Sequence, residues 1–314
     1  MANLKDLRNR ITSVSSTMQI TSAMKMVSAA KLSKAQDAIT QMRPYAEKLT
    51  ELLQSLSATL ADDQGSKYAE EREVKNVLIV AISSNRGLAG AFNTNIIKAV
   101  KYIAANQYGD KNVEVMTLGK KANDILSKTF DIYKNNTEIY DELTYDNVAE
   151  IAEELMERFV DGKYDEIRIV YNQFVNAATQ KVMNEQFLPI VPVETDEDVV
   201  LDYIYEPSKM EIVLELIPKS LKMQLYKALR DSFASEHGAR MTAMHKATDN
   251  ATELRDELKL SYNKARQASI TNEILEIVGG AEAMSQDDDG DLEDVIAQSL
   301  EGSFTTLVSD RTDA

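Results

Sequence analysis

Between Ser83 and Asn93 the chain reads SSNRGLAGAFN, a glycine-containing segment that follows an apolar run and opens a helical pattern. In that position, backbone N–H groups at a helix start could cradle a phosphate. The spacing argues otherwise. Gly87 and Gly90 give G-x-x-G, which is neither the dinucleotide fingerprint nor a P-loop, and no Lys-Ser/Thr pair follows. A tight strand-to-helix turn that uses glycine's freedom is the plainer reading. The chain has no cysteine, which excludes disulfides, thiolate metal sites and cysteine nucleophiles. Its two histidines, His237 and His245, stand eight apart in one helical run, whereas ligands on one helix face sit three or four apart. Met18, Met24 and Met26 could form a soft ligand set, but without Cys or His beside them adaptable packing explains them better. Glu153 and Glu154 read as solvated helix-surface acids. No Ser-His-Asp arrangement stands out. No catalytic site, cofactor or metal is expected on this chain.

With the centre offering so little chemistry, the ends become informative. From Met1 to Arg43 there is neither Pro nor Gly, and from Lys219 to Val278 only Gly238. Helices of about 60 residues would reach on the order of 90 Å, far beyond the three or four turns of an average globular helix. The first carries a seam of Leu4, Leu7, Ile11, Val14, Met18, Thr21, Ser28, Leu32, Ala35, Ile39 and Met42, which is coiled-coil spacing interrupted at Lys25. Pro44 should kink or break it locally. The second carries Ala247, Ala251, Leu254, Leu258, Ser261, Ala265 and Ala268, mostly small side chains that let two backbones approach closely. A separate stripe of Ile270, Ile274, Ile277 and Ala281 follows and requires a partner to cover it. Pro218 fits the first turn of this long helix, after a shorter start at Met210–Ile217. Gly279–Gly280 is a natural stop.

Between the ends, helix and strand alternate. Strands are expected at Val77–Ser83, Val113–Gly119, Glu166–Val175 and Lys181–Ile190, with a short one near Val199–Tyr205. Helices are expected at Phe92–Ala105 and Asn147–Val160. The fold class is therefore α/β, a parallel or mixed sheet flanked by helices, joined to a long coiled coil of the two terminal helices. Four segments follow: 1–60 as the N-terminal shaft helix, 61–208 as the central α/β domain, 209–284 as the C-terminal shaft helix, and 285–314 as an acidic tail expected to lack fixed structure.

The net charge of −16 is uneven. Residues 1–60 hold eight Lys/Arg against four Asp/Glu, residues 61–208 hold 15 against 27, and residues 285–314 hold one against nine. Acidic bulk argues against nucleic-acid binding. The basic first helix suits an acidic protein surface. No stretch approaches the roughly 20 apolar residues of a membrane span, and no secretory or transit signal is read, so direct membrane insertion is not expected. Arg8, Arg10, Lys25, Lys31, Arg240, Arg255, Arg266 and Gln267 lie on the long helices, as a solvated face or as contacts to a partner.

Five stretches together are distinctive: ITSAMKMVSAAKL (Ile20–Leu32), RPYAE (Arg43–Glu47), SSNRGLAGAFN, ARMTAMHKATDNA (Ala239–Ala251) and YNKARQASITNEILEIVGGA (Tyr262–Ala281). Over about residues 1–284 the chain resembles the gamma subunits of F-type ATP synthase, of bacterial type. The resemblance implies a central Rossmann-like domain and an antiparallel coiled coil turning inside an alpha-beta hexamer. It implies a rotor stalk that couples proton-driven rotation of the c-ring to ATP synthesis or hydrolysis in its partners, and is itself non-catalytic. The implied partners are the alpha, beta and epsilon subunits and the c-ring, at the cytoplasmic face of the plasma membrane. It also implies residue roles: Arg266, Gln267 and Thr271 at a catch loop of beta, Arg240 at an acidic lever loop of beta, and Met24 as a coupling-sensitive methionine on the facing helix. The cysteine pair of the chloroplast thiol switch is absent, and the tail beyond Met284 exceeds the family's usual length. Two other classes fit the coarse pattern: a coiled-coil scaffold carrying an α/β domain, and a small α/β enzyme with a dimerising stalk. A scaffold would self-associate, an enzyme would bind a small ligand centrally, and a rotor would co-purify with alpha and beta.

Overall fold

Val77 through Ile82 are all fully buried, because β1 (Asn76–Ile82) lies in the middle of a sheet covered on both faces. The computed structural model describes residues 4–57, 67–68, 70, 72–190 and 209–309. Around β1 come α1 (Leu4–Ser57), α2 (Phe92–Gln107), β2 (Asn112–Leu118), α3 (Lys120–Leu126), β3 (Asp131–Asn136), α4 (Tyr145–Val160), β4 (Glu166–Phe174), β5 (Gln180–Leu188) and α5 (Lys209–Ser309). Strand order is β3-β2-β1-β4-β5, parallel except that β5 runs antiparallel to β4. This is the expected α/β domain in its mixed form. α3 and β3 went unanticipated, and the strand expected near Val199–Tyr205 lies outside the described residues.

The chain forms two compact units, Gln19–Asp249 and Met1–Met18 with Asn250–Ala314. These do not follow the segment boundaries drawn at 60/61 and 208/209. In the larger unit, alternate β1 residues serve opposite cores. Leu78, Val80 and Ile82 pack with α4 and with Ile217, Leu221, Leu225, Ala228 and Leu229 of α5. Val77, Ile79 and Ala81 pack with Ile96, Ile97 and Val100 of α2 and with Ala122 and Leu126 of α3. α4 starts where the Thr144 side chain accepts a hydrogen bond from Asn147 N at 3.4 Å, and it buries Val148, Ile151, Ala152, Leu155, Met156 and Phe159 at helical spacing. Leu32, Ala35 and Ile39 of α1 meet Ala234 of α5, and Thr21 bonds Thr248 at 2.8 Å, so the two helices run antiparallel here. In the smaller unit Arg8 donates to the Tyr262 hydroxyl at 2.9 Å and Thr252 to the Met18 sulfur at 3.3 Å, again antiparallel.

Several expectations about the helices need correction. Pro44 and Pro218 both lie inside continuous helices, Pro218 nine residues in rather than in a first turn. Each removes one backbone hydrogen bond, but Met42 and Leu49 around the first and Ile217 and Leu221 around the second are buried and hold the helix in place. The α5 seam is shifted in phase: Leu254 is 46% exposed and Ser261 and Ala268 are exposed, while Arg255 and Tyr262 turn inward beside Met244, Ala251, Leu258 and Ala265. Long amphipathic side chains cover the partner helix with their stems, which a search for small apolar residues overlooks. Gly279–Gly280 does not stop α5, whose backbone continues helically to Ser309, where a tail without fixed structure was expected. Among the described residues nothing lies within 4 Å of a Cβ at either glycine.

Candidate functional site

The glycine segment closes on itself. Ser84 N donates to Asn93 Oδ1 at 3.0 Å, Ser84 Oγ donates to Arg86 O at 2.7 Å, and Asn85 joins Thr137 O and Lys120 N at 2.8 and 3.1 Å. Leu88 sits at φ 64° and Gly90 at φ 57°, the left-handed pair that reverses the chain between β1 and α2. Ala89 is buried against Phe92 and Ala239 of α5, whereas Leu88 is 65% exposed. The turn therefore rests on α5 and holds one apolar side chain outward.

α5 crosses the carboxyl ends of β1 and β4, the neighbours at which the strand order reverses. In open α/β sheets this crevice is the usual ligand position. Here Ser235 Oγ donates to Asn172 O at 3.0 Å, a Cβ at Gly238 would lie 3.2 Å from Ala177 Cα, and Thr242 Oγ1 donates to Ala177 O at 3.0 Å. On the β1 side Arg240 is only 6% exposed. Its Nη1 donates to Glu236 Oε1 at 2.6 Å, and its Nη2 to the carbonyls of Arg86 and Gly87 at 3.0 and 3.3 Å. Burial pushes the Glu236 carboxyl above the usual carboxylate range, against the pull of Arg240, Lys31 and Arg86. His237 packs edge-on to Phe233 at 4.5 Å, with neither ring nitrogen hydrogen-bonded among the described residues. Burial, with Arg240 and Lys31 nearby, lowers its pKa to about 4.

The five residues singled out from the sequence divide between the two units. Arg266, Gln267 and Thr271 share one exposed stretch of α5, with Thr271 Oγ1 donating to Gln267 O at 2.9 Å. Around them Ile270, Ile274, Leu275, Ile277 and Val278 are 43–72% exposed. In the other unit Met24 is half-buried on α1 and accepts from Ser28 Oγ at 2.8 Å, while Arg240 faces inward. Glu236, His237 and Leu88 were not singled out for this site; an i,i+4 Glu–Arg pair looks like ordinary helix surface until the loop beneath it is seen. Among the described residues no group of three or more His, Cys, Asp or Glu could hold a metal, and no helix is long and apolar enough to cross a membrane.

A family model described as ATP synthase matches residues 3–284. The ATP synthase gamma chain of Christiangramia forsetii is 79% identical over 285 residues, covering 91% of this chain and 100% of that relative. The chain belongs to the ATP synthase gamma family. A gamma chain of Flavobacterium psychrophilum is 71% identical over 285 residues, covering 90% and 99% of the two chains. The fold is also that of solved rotors. A chain of the Euglena gracilis mitochondrial ATP synthase, in a structure of OSCP, F1 and the c-ring, aligns at TM-score 0.66 and 22% identity over 90% of this chain and 94% of its own. These relatives make this chain a gamma subunit of ATP synthase. The family match ends at residue 284, which leaves 285–314 outside it.

Proposed function

We propose that α1 and α5 form an asymmetric shaft through which proton-driven rotation of a c-ring changes three catalytic sites of an alpha-beta hexamer in turn. In this reading Arg266, Gln267 and Thr271 engage a catch loop of a beta subunit, and Met24 and Arg240 belong to the same coupling set. The epsilon subunit and the c-ring meet the sheet domain, at the cytoplasmic face of a bacterial plasma membrane. The observation that supports this best is the exposed stretch Arg266–Val278, where a forked cation, an amide and a hydroxyl sit beside bare isoleucines with no cover from their own chain among the described residues. A shaft without threefold symmetry contacts three equivalent sites differently, and only differential contact can shift their equilibria apart. Each elementary charge crossing 100 mV supplies about 2.3 kcal/mol, so several protons have to be summed mechanically for one ATP.

Arg266→Leu and Gln267→Leu, assayed in membranes carrying the assembled enzyme, test the catch-loop assignment. Each should lower ATP turnover or assembly by about tenfold, the loss of a charge-assisted or well-placed polar contact, while leaving this chain folded. Normal ATPase activity from both variants would remove these residues from the coupling set.

A further inference from the structure

We infer that Glu236 is a positioning residue for coupling: it orients Arg240 so that the guanidinium clamps the Arg86 and Gly87 carbonyls and fastens the β1–α2 turn to α5. The inference rests on the central-stalk reading and deepens it. Arg240 presents two arms to two sides. Nη1 meets Glu236 one helical turn earlier, and Nη2 bridges two successive carbonyls of the turn. Glu236 is 8% exposed, so its carboxyl group is held in position. Without it, the guanidinium keeps two carbonyls but loses the acceptor that sets its orientation, and a buried N–H left without an acceptor swings toward water. The carbonyls would then lose the donor that holds them.

What the clamp fastens is mechanically placed. The turn belongs to the central strand β1, packed on both faces of the sheet, and α5 continues onward as the stalk. On the β4 side the same helix is tied by Ser235 to Asn172 O and by Thr242 to Ala177 O. Arg240 supplies the matching tie on the β1 side. With both, a rotation of the sheet is delivered to α5 from two adjacent strands; with one, α5 can rock about the β4 contact. The clamp also fixes Leu88, whose left-handed backbone presents it to solvent next to the two clamped carbonyls.

The test uses inverted membrane vesicles carrying the complete enzyme, reading ATP-driven proton pumping per ATP hydrolysed, with hydrogen exchange of the Arg86–Ala91 amides as a second readout. Glu236→Ala should lower the pumping ratio about threefold or more and speed exchange in the turn. Glu236→Gln, which keeps an oxygen acceptor at the same reach, should recover most of both. Glu236→Asp keeps the charge but withdraws it by one methylene, and should fall toward Glu236→Ala; it decides the matter if the alanine variant does not assemble. Glu215→Gln removes an exposed i,i+4 pair with Lys219 on the same helix and should leave both readouts unchanged. An unchanged ratio in Glu236→Asp, or equal losses in Glu236→Ala and Glu236→Gln, would overturn the positioning role. Vesicles in which the wild-type chain supports no pumping would overturn the central-stalk reading, and the clamp with it.

Discussion

His237 is the residue whose charge state most directly bears on this packing. Its neighbours include Phe233, Arg240 and Glu236 on its own helix and Lys31 of α1. A histidine with a depressed folded-state pKa takes up its proton more readily when unfolded. The stability it contributes is whole above its unfolded value of 6.5, declines as pH falls below that and is lost through about 4, an acid-limit loss of roughly 3 kcal/mol. Glu236 acts in the opposite sense, since its raised pKa makes the folded state bind a proton first, and it offsets part of that loss. His237→Leu should therefore flatten the fall in urea-unfolding free energy between about pH 7 and pH 5. An unchanged slope would assign the acid loss to other groups.

Elements were legible where one periodicity dominated. β1 showed as an unbroken apolar run because both its faces are buried, α4 as a clean amphipathic stripe, and α1 through its buried seam of Leu7, Thr21, Ser28, Leu32, Ala35, Ile39 and Met42. β3 was not legible, because an edge strand reading DIYKNN with two apolar residues carries little alternation. α3 has seven residues and is too short for a helical period to appear. The phase of α5 was misread because Arg255 and Tyr262 fill seam positions, and no local pattern shows that Arg240 also reaches the turn between β1 and α2. The close approach at Gly238 was equally silent. There a Cβ would stand 3.2 Å from Ala177 Cα and 3.4 Å from Phe174 Cε2. Gly238→Val should push α5 off the β4–β5 turn and cost about 1–3 kcal/mol, the range for overfilling a packed contact. A melting temperature equal to wild type would show that the turn yields.

For the whole molecule, family likeness and charge separate the chain at one place. The family match stops at 284, the 79% identical relative is covered in full within 91% of this chain, and residues 285–314 carry nine acids against one base. Removing 285–314 should leave assembly and ATP hydrolysis within about twofold of wild type, since the family match is complete before it. A larger loss would give the segment a part in the complex. The rest of the molecule has less room for change, and the reason lies in the crevice that α5 occupies. The turn from Ser84 to Ala91 leaves β1 and enters α2, its two ends tied together by Ser84 N donating to Asn93 Oδ1, and its middle is held by Ala239 and Arg240. One inserted residue there would slide Ala89 off Ala239 and carry both carbonyls out of reach of the guanidinium. The turn's length, more than the identity of most of its side chains, is therefore frozen, and descendants of this chain can lengthen their surface loops but not this one.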